Sequence, residues 1–230
     1  DMESLERQKE RMVKRAKTGD KDARELQPVI EKALNTLHQG KPLRTFPEDE
    51  EEQMLLKSLN LLTTKPVLFI CNVDEESAHS GNELSELVSK YTSQKKVGVV
   101  VVSAAIEAEI AALETQKERI DFLSDLGMEN AGLERVLHAG QNLLGLLRFL
   151  TAGPNEARAW TLKAGGTARE AAGKIHSDMA KGFICAETIS FKDFVHYNGE
   201  AGAKVAGKIR QEGADYIVKE ADVILFRFNV

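Results

Sequence analysis

Residues 65–77, KPVLFICNVDEES, join an apolar run to a polar loop whose groups could read a nucleotide base. Val67 to Cys71 is continuously apolar and leads straight into Asn72-Val73-Asp74-Glu75. About thirty residues further on, a second apolar run, Val97–Val102, ends in Ser103-Ala104-Ala105. Loops at the C-terminal ends of neighbouring parallel strands are where an open α/β sheet binds its ligand. The chemistry on offer is hydrogen bonding to a flat heteroaromatic ring, with carboxylate and backbone carbonyl as acceptors and backbone N–H as donor.

The first loop has the layout of the Asn-Lys-x-Asp loop with which GTPases read guanine, but with Val73 for Lys and Glu75 for Asp. The shorter Asp accepts from guanine N1–H and the 2-amino group. Glu75 cannot take the same place without backbone movement, so guanine selectivity should suffer. Adenine presents a donor at N6 and an acceptor at N1, which a backbone carbonyl and N–H pair could read. The second loop stands where GTPases set Ser-Ala-Lys against the base.

Other chemistry is not legible. GAKVAGKI (202–209) has the spacing of a phosphate loop, but Ile209 stands where Ser or Thr should hold magnesium, and no strand precedes it. The alanines and Ile209 suit a short helix packed on a small sheet. No Ser/His/Asp or Cys/His set is present, and the five histidines lack metal-ligand spacing. No catalytic or metal residue is assigned. The acids Asp74-Glu75 and Glu107/Glu109 read as loop and helix surface. Cys71 and Cys185 read as two buried thiols in a reducing compartment.

These loops need elements to position them. The 230 residues are 42% hydrophobic and 29% charged, which suits a soluble globular protein of about two domains. No run approaches the roughly 20 apolar residues of a membrane-spanning helix, and no signal peptide is visible. The sequence starts at Asp1, so an upstream part is expected to be missing. Net charge is −5, with 18 acidic against 10 basic residues in 41–145 and near balance on either side. Global charge therefore does not announce nucleic-acid binding, although the two ends could carry basic patches.

Residues 1–39 read as two helices broken at TGDKDA, with Gly19 as C′ residue and Asp20 or Asp22 as the next cap. Leu5, Met12 and Ala16 line one seam, and Leu26, Ile30, Ala33, Leu34 and Leu37 the other. Pro28 either kinks the second helix or marks its first turn. A narrow seam predicts an antiparallel coiled-coil hairpin. A linker with two prolines follows, then a helix from Glu48–Glu52 through Met54, Leu55, Leu59 and Leu62. The two apolar runs, with a helix marked by Leu84, Leu87, Val88 and Tyr91 between them, predict β-α-β and a parallel sheet covered on both faces. Two strands are too few for such a sheet, and residues 104–126 and 132–147 read as helical. The last 80 or so residues read as strand, Gly-Gly turn, helix, strand, and finally strand, turn, strand in YIVKEADVILFRF. A small sheet crossed by one helix would fit, with a boundary near 145–150.

Over its whole length the sequence resembles the YchF-type, Obg-like P-loop NTPase family of the TRAFAC class, beginning after that family's phosphate loop. The carrying stretches are AKTGDKDA, KPVLFICNVDE, VVVVSAAIEAEIAAL, FLSDLGMENAGL, ARAWTLKAGGTAREAAGKIHSDMAKGFICAETISFKDF and GEAGAKVAGKIRQEGADYIVKEADVILFRFNV. The resemblance implies a fold of α/β plus α plus α+β type. Residues 1–45 would form a helical coiled-coil hairpin, 46–145 the C-terminal half of a G domain, and 146–230 a β-grasp TGS domain. It implies a cytoplasmic protein that associates with the ribosome through rRNA or ribosomal protein. Such a protein hydrolyses ATP, or GTP, with Mg2+. Asn72 would hold the base loop, Val73 would read the base through its main chain, Glu75 would replace the guanine-reading acid, and Ser103-Ala104 would back the base. Phosphate- and magnesium-binding residues have no counterpart, and the family's activating histidine cannot be assigned to His38 or His79. The 230 residues by themselves are expected to be inactive and to bind nucleotide weakly or not at all. The alternative is a non-enzymatic module that binds RNA or the ribosome. It would act through Lys9, Arg11, Lys14, Arg15, Lys17 and Lys21 of the hairpin and through Lys163, Arg169, Lys174 and Lys181.

Overall fold

The computed structural model describes residues 1–46, 49–93, 97–153 and 156–229. The molecule divides into two compact units, Asp1–Val67 and Leu68–Val230.

The first unit is helical. Helices α1 (Met2–Lys17) and α2 (Lys21–His38) pack along their length. The reversal between them is closed by a Schellman motif: Gly19, at φ +93°, donates to the Ala16 carbonyl and Asp20 N–H donates to the Arg15 carbonyl. Of the two candidate caps, Asp20 fills the role, accepting from Ala23 N–H at 3.1 Å. That bond and the Arg15 guanidinium beside it hold its carboxyl below the ordinary aspartate value. α2 runs unbroken through Pro28, which is therefore not a first-turn residue. The predicted seam is buried at Leu5, Ile30, Ala33 and Leu34.

Residues 43–46 and 49–67 complete the same core. Asp49 caps α3 (Glu50–Ser58), and Lys32 of α2 pairs with Glu52. Leu43, Phe46, Leu56 and Leu61 join Leu5 and Ile30 in one apolar cluster. The predicted third helix overran: it stops at Ser58, Asn60 takes φ +52°, and Met54 and Leu62 are exposed. Pro47 and Glu48, the second linker proline and the first residue of the acidic start, lie outside the described residues.

The second unit opens with β1 (Leu68–Asn72), α4 (Glu83–Ser93) and β2 (Gly98–Val102), the strands being parallel with Leu68 opposite Gly98 and Asn72 opposite Val102. Three helices follow: α5 (Ala104–Ala112), α6 (Gln116–Asp125), which begins at a Thr115/Glu118 capping box, and α7 (Gly132–Leu143).

Two expectations fail here. The sheet is not covered on both faces: it has two strands among the described residues, and Phe69 and Ile70 are exposed. The face of α4 is also inverted. Ser85 and Thr92 are buried, whereas Leu84 and Leu87 are 72% and 61% exposed. Ser85 and Thr92 bury cheaply because their hydroxyls bond locally, to the Asn82 and Val88 carbonyls.

The rest of the unit is a five-stranded mixed sheet. Its elements are β3 (Leu146–Ala152), β4 (Ala157–Lys163), α8 (Ala168–Ile175), α9 (Ser177–Lys181), β5 (Phe183–Ser190), α10 (Phe191–His196), α11 (Glu200–Val205), β6 (Arg210–Glu212) and β7 (Asp222–Phe228). The strand order is β4-β3-β7-β5-β6, antiparallel except for β3 beside β7. α8 turns an alanine face, Ala168, Ala171 and Ala172, onto Leu147, Phe149, Leu162 and Phe226. These small side chains let the helix approach the sheet closely. The sequence missed β3, whose first residues had been read as helix. It also placed a strand at Tyr216–Val218 that is only an isolated bridge between Ile217 and Thr167.

Both cysteines are free and half-buried, rather than fully buried as expected.

Candidate base-recognition site

β1 and β2 deliver their two loops side by side, and two hydrogen bonds tie the loops together. Val73 N–H donates to the Val102 carbonyl at 2.9 Å, extending the parallel ladder by one residue. Asn72 Oδ1 then accepts from Ala104 N–H at 3.0 Å. That amide is the first of α5 and would otherwise lack a partner, since helix-start N–H groups have no intrahelical acceptor. Asn72 thus bridges the base loop to the Ser103-Ala104 loop.

The remaining loop residues divide by role. Asp74 accepts from Ser77 N–H at 2.8 Å and closes the turn that follows. The Ser77 contacts, through its hydroxyl and its N–H, hold the Asp74 carboxyl below the ordinary value. Glu75 is exposed and makes no side-chain bond among the described residues. Ser103 is 3% exposed, and its Oγ has no partner among the described residues. Ala104 is exposed.

Val73 spends its N–H on the Val102 carbonyl. Its carbonyl is left to accept, and the donor must come from elsewhere. The N–H groups of Glu75 and Glu76 make no hydrogen bond among the described residues.

The structure adds Glu107, which had been read as helix surface. Its Oε1 accepts from Gly132 N–H at 2.6 Å and its Oε2 from Leu133 N–H at 3.0 Å. A carboxylate at a helix N-terminus satisfies orphan donors and complements the dipole. Glu107 stands one turn after Ala104, so it ties the helix behind the base loops to α7. No local sequence signal marks a cap that lies 25 residues away.

The phosphate-loop look-alike is the end of a helix, not the start of one. α11 covers its first half, and Gly207, at φ +66°, ends the helix by donating to the Lys204 carbonyl. Gly202 is required for a different reason: a Cβ there would lie 1.9 Å from the Tyr197 carbonyl oxygen. Both glycines thus serve backbone geometry.

Among the basic residues considered for nucleic-acid contact, Lys9, Arg15, Lys21 and Lys181 are paired with Glu31, Asp20, Glu25 and Asp178. Arg11, Lys14, Lys17, Arg169 and Lys174 have no ion pair among the described residues. No helix among the described residues is long and apolar enough to cross a membrane.

The mixed α/β architecture is similar to that of a YchF protein of known structure. The structure of the Schizosaccharomyces pombe YchF GTPase matches with a TM-score of 0.80 at 27% identity, covering 99% of this sequence and 62% of that protein. The family model described as YchF-GTPase_C, protein of unknown function, matches residues 146–229. Curated relatives named Ribosome-binding ATPase YchF are 49% identical in Haemophilus ducreyi and 45% identical in Bacillus subtilis, each across 100% of the present sequence. The protein belongs to the YchF family. It spans 63% of the length of these relatives.

Proposed function

We propose that these 230 residues hold the base-recognition loops and the partner-binding surface of a cytoplasmic, ribosome-associated NTPase that prefers ATP to GTP and works with Mg2+. The observation that carries the reading is the Asn72 bridge to Ala104, which fixes two loops at adjacent strand ends as one surface. On that surface the Val73 carbonyl accepts from adenine N6, and the backbone N–H of Glu75 donates to N1. The Val73 carbonyl and the Glu75 N–H are an acceptor and a donor left without a hydrogen-bond partner among the described residues. Glu75 stands at the position of the guanine-reading acid, and Ser103-Ala104 backs the ring. Relatives are named ATPase and a structural relative GTPase, so base preference is the property to measure. Three segments carry the work: the hairpin 1–45, the G-domain half 46–145 and the β-grasp TGS domain 146–230. The order β4-β3-β7-β5-β6 with α8 across it supports the last.

Calorimetric titration of ATP and GTP into the full-length gene product and its Asn72→Ala variant tests the reading. ATP should bind more tightly, and the variant should weaken it. Clear GTP preference, or binding indifferent to the substitution, would refute the assignment. The 230-residue protein alone is expected to bind either nucleotide weakly and to hydrolyse neither.

A second reading, an RNA-binding module, is favoured by edge strand β4, where the Arg158 guanidinium lies 4.4 Å from the centre of the Trp160 ring. A cation beside an aromatic plane on an open sheet edge is a stacking platform for single-stranded bases. Ribosome cosedimentation that weakens steeply with salt, and weakens further in Trp160→Ala, would support it. Salt-insensitive binding would count against it.

A further inference from the structure

A cavity of about 320 Å3 lies beside α7, lined by His79, Gly127, Met128, Glu129, Asn130 and Arg135. None of the base-loop residues Asn72, Val73, Glu75, Ser103 and Ala104 lines it. On its inner side Met128 packs with Ala78, Ile106 and Ile110 in an apolar cluster. Gly127, at φ +68°, ends α6, and Met128 N–H returns to the Leu123 carbonyl at 2.8 Å.

Arg135 is the anomaly in this wall. Its Nε and Nη2 are shut off from solvent, and neither has a hydrogen-bond partner among the described residues. Glu129 lines the same cavity yet forms no ion pair with Arg135, and Arg135 pairs with no other acid among the described residues. A guanidinium cannot escape the cost of burial by losing its proton. Leaving its donors unmet is among the more expensive things a fold can do. Three other guanidinium groups in this unit are answered: Arg148 by Glu220, Arg227 by Glu187, and Arg119 by the Leu113 carbonyl. The orphaned pair of atoms is the side of the guanidinium that meets two oxygens of one anion at once. The same side chain that carries these two orphaned donors lines the cavity. The His79 ring stands in the same wall as a further donor.

We infer that the cavity is an oxyanion site in which Arg135 grips a phosphate or carboxylate group through Nε and Nη2, with His79 as the second contact. The site is separate from the proposed base-reading surface, so its test does not depend on nucleotide binding.

The test uses the 230-residue protein labelled with 15N. It is titrated with sodium phosphate and separately with sodium acetate, ionic strength being held constant with chloride. The amides of His79, Gly127, Glu129 and Asn130 should shift saturably, with a dissociation constant on the order of 1 mM. Arg135→Met should weaken binding roughly tenfold or more. Arg135→Lys keeps the charge but loses the fork, and should weaken it less, which guards against a variant that merely misfolds. Saturation by phosphate alone identifies a phosphate group as the ligand, and saturation by acetate a carboxylate. No saturable shift with either anion, or affinity unchanged in both Arg135 variants, would overturn the inference.

Discussion

Glu107→Ala is the sharpest test of how the base loops are supported. In the native protein one carboxylate accepts from two α7 amides, Gly132 and Leu133. Removing a helix cap costs about 1 kcal/mol, and a hydrogen bond to a charged acceptor is worth roughly 1.5–3 kcal/mol. Water can reach the Leu133 amide, which is exposed, and recovers part of that loss. The expected cost is therefore about 2 kcal/mol. For a unit of this size each kcal/mol moves the midpoint by about 2–4 °C, so thermal unfolding should fall by about 4–8 °C. Glu109→Ala is the control, because Glu109 is an exposed acid on the same helix with no bond among the described side chains. Amide exchange should also accelerate at Gly132 and Leu133 in Glu107→Ala alone. If the two variants unfold within about 0.5 kcal/mol of each other, the spread expected of ordinary surface substitutions, the cap carries nothing and the tie between α5 and α7 is not real.

Gly202→Ala should destabilise the second unit by about 2 kcal/mol or more, since its Cβ would meet the Tyr197 carbonyl oxygen at 1.9 Å; calorimetry of the variant checks this. Ala221→Gly should stabilise by roughly 0.5–1 kcal/mol in urea unfolding, because Ala221 sits at φ +61°, where a Cβ is strained. The carboxyls of Asp20 and Asp74 lie below the ordinary aspartate value when folded. Their contribution is present above pH about 4 and is lost as pH falls through the folded values. NMR titration should place both transitions below those of an unfolded peptide, and Asp74→Asn should abolish the one attached to the Ser77 amide.

The two strand-end loops were legible in the sequence because they rest on local signals: a continuous apolar run, then polar residues, repeated at a second strand. The hairpin was legible for the same reason, since a Schellman glycine and an N-cap aspartate announce a reversal within a few residues. What escaped was decided by distant partners. The inward face of α4 is Ser85 and Thr92, and apolar periodicity would never choose them over Leu84 and Leu87. β3 was hidden because LLRFLTA continues the apolar spacing of the helix before it, and only Leu144 and Gly145, the latter at φ +59°, separate the two. The overrun of α3 has the same origin, Asn60 breaking a pattern that Leu62 continues. Val73 was half legible. Its place at the end of the strand followed from the apolar run, but its N–H was claimed by Val102, a bond that depends on register.

The bridge from Asn72 to Ala104 has an implication for engineering. Because one side chain holds the start of the neighbouring helix, the two loops cannot be redesigned independently. A variant given Lys at 73 and Asp at 75 would still carry a second loop whose position was set by Asn72, together with Ala105 where a guanine reader places lysine. On the proposed adenine reading, substitutions in one loop alone should therefore weaken adenine binding well before they produce guanine binding, and the route between the two specificities runs through a variant that holds neither base well.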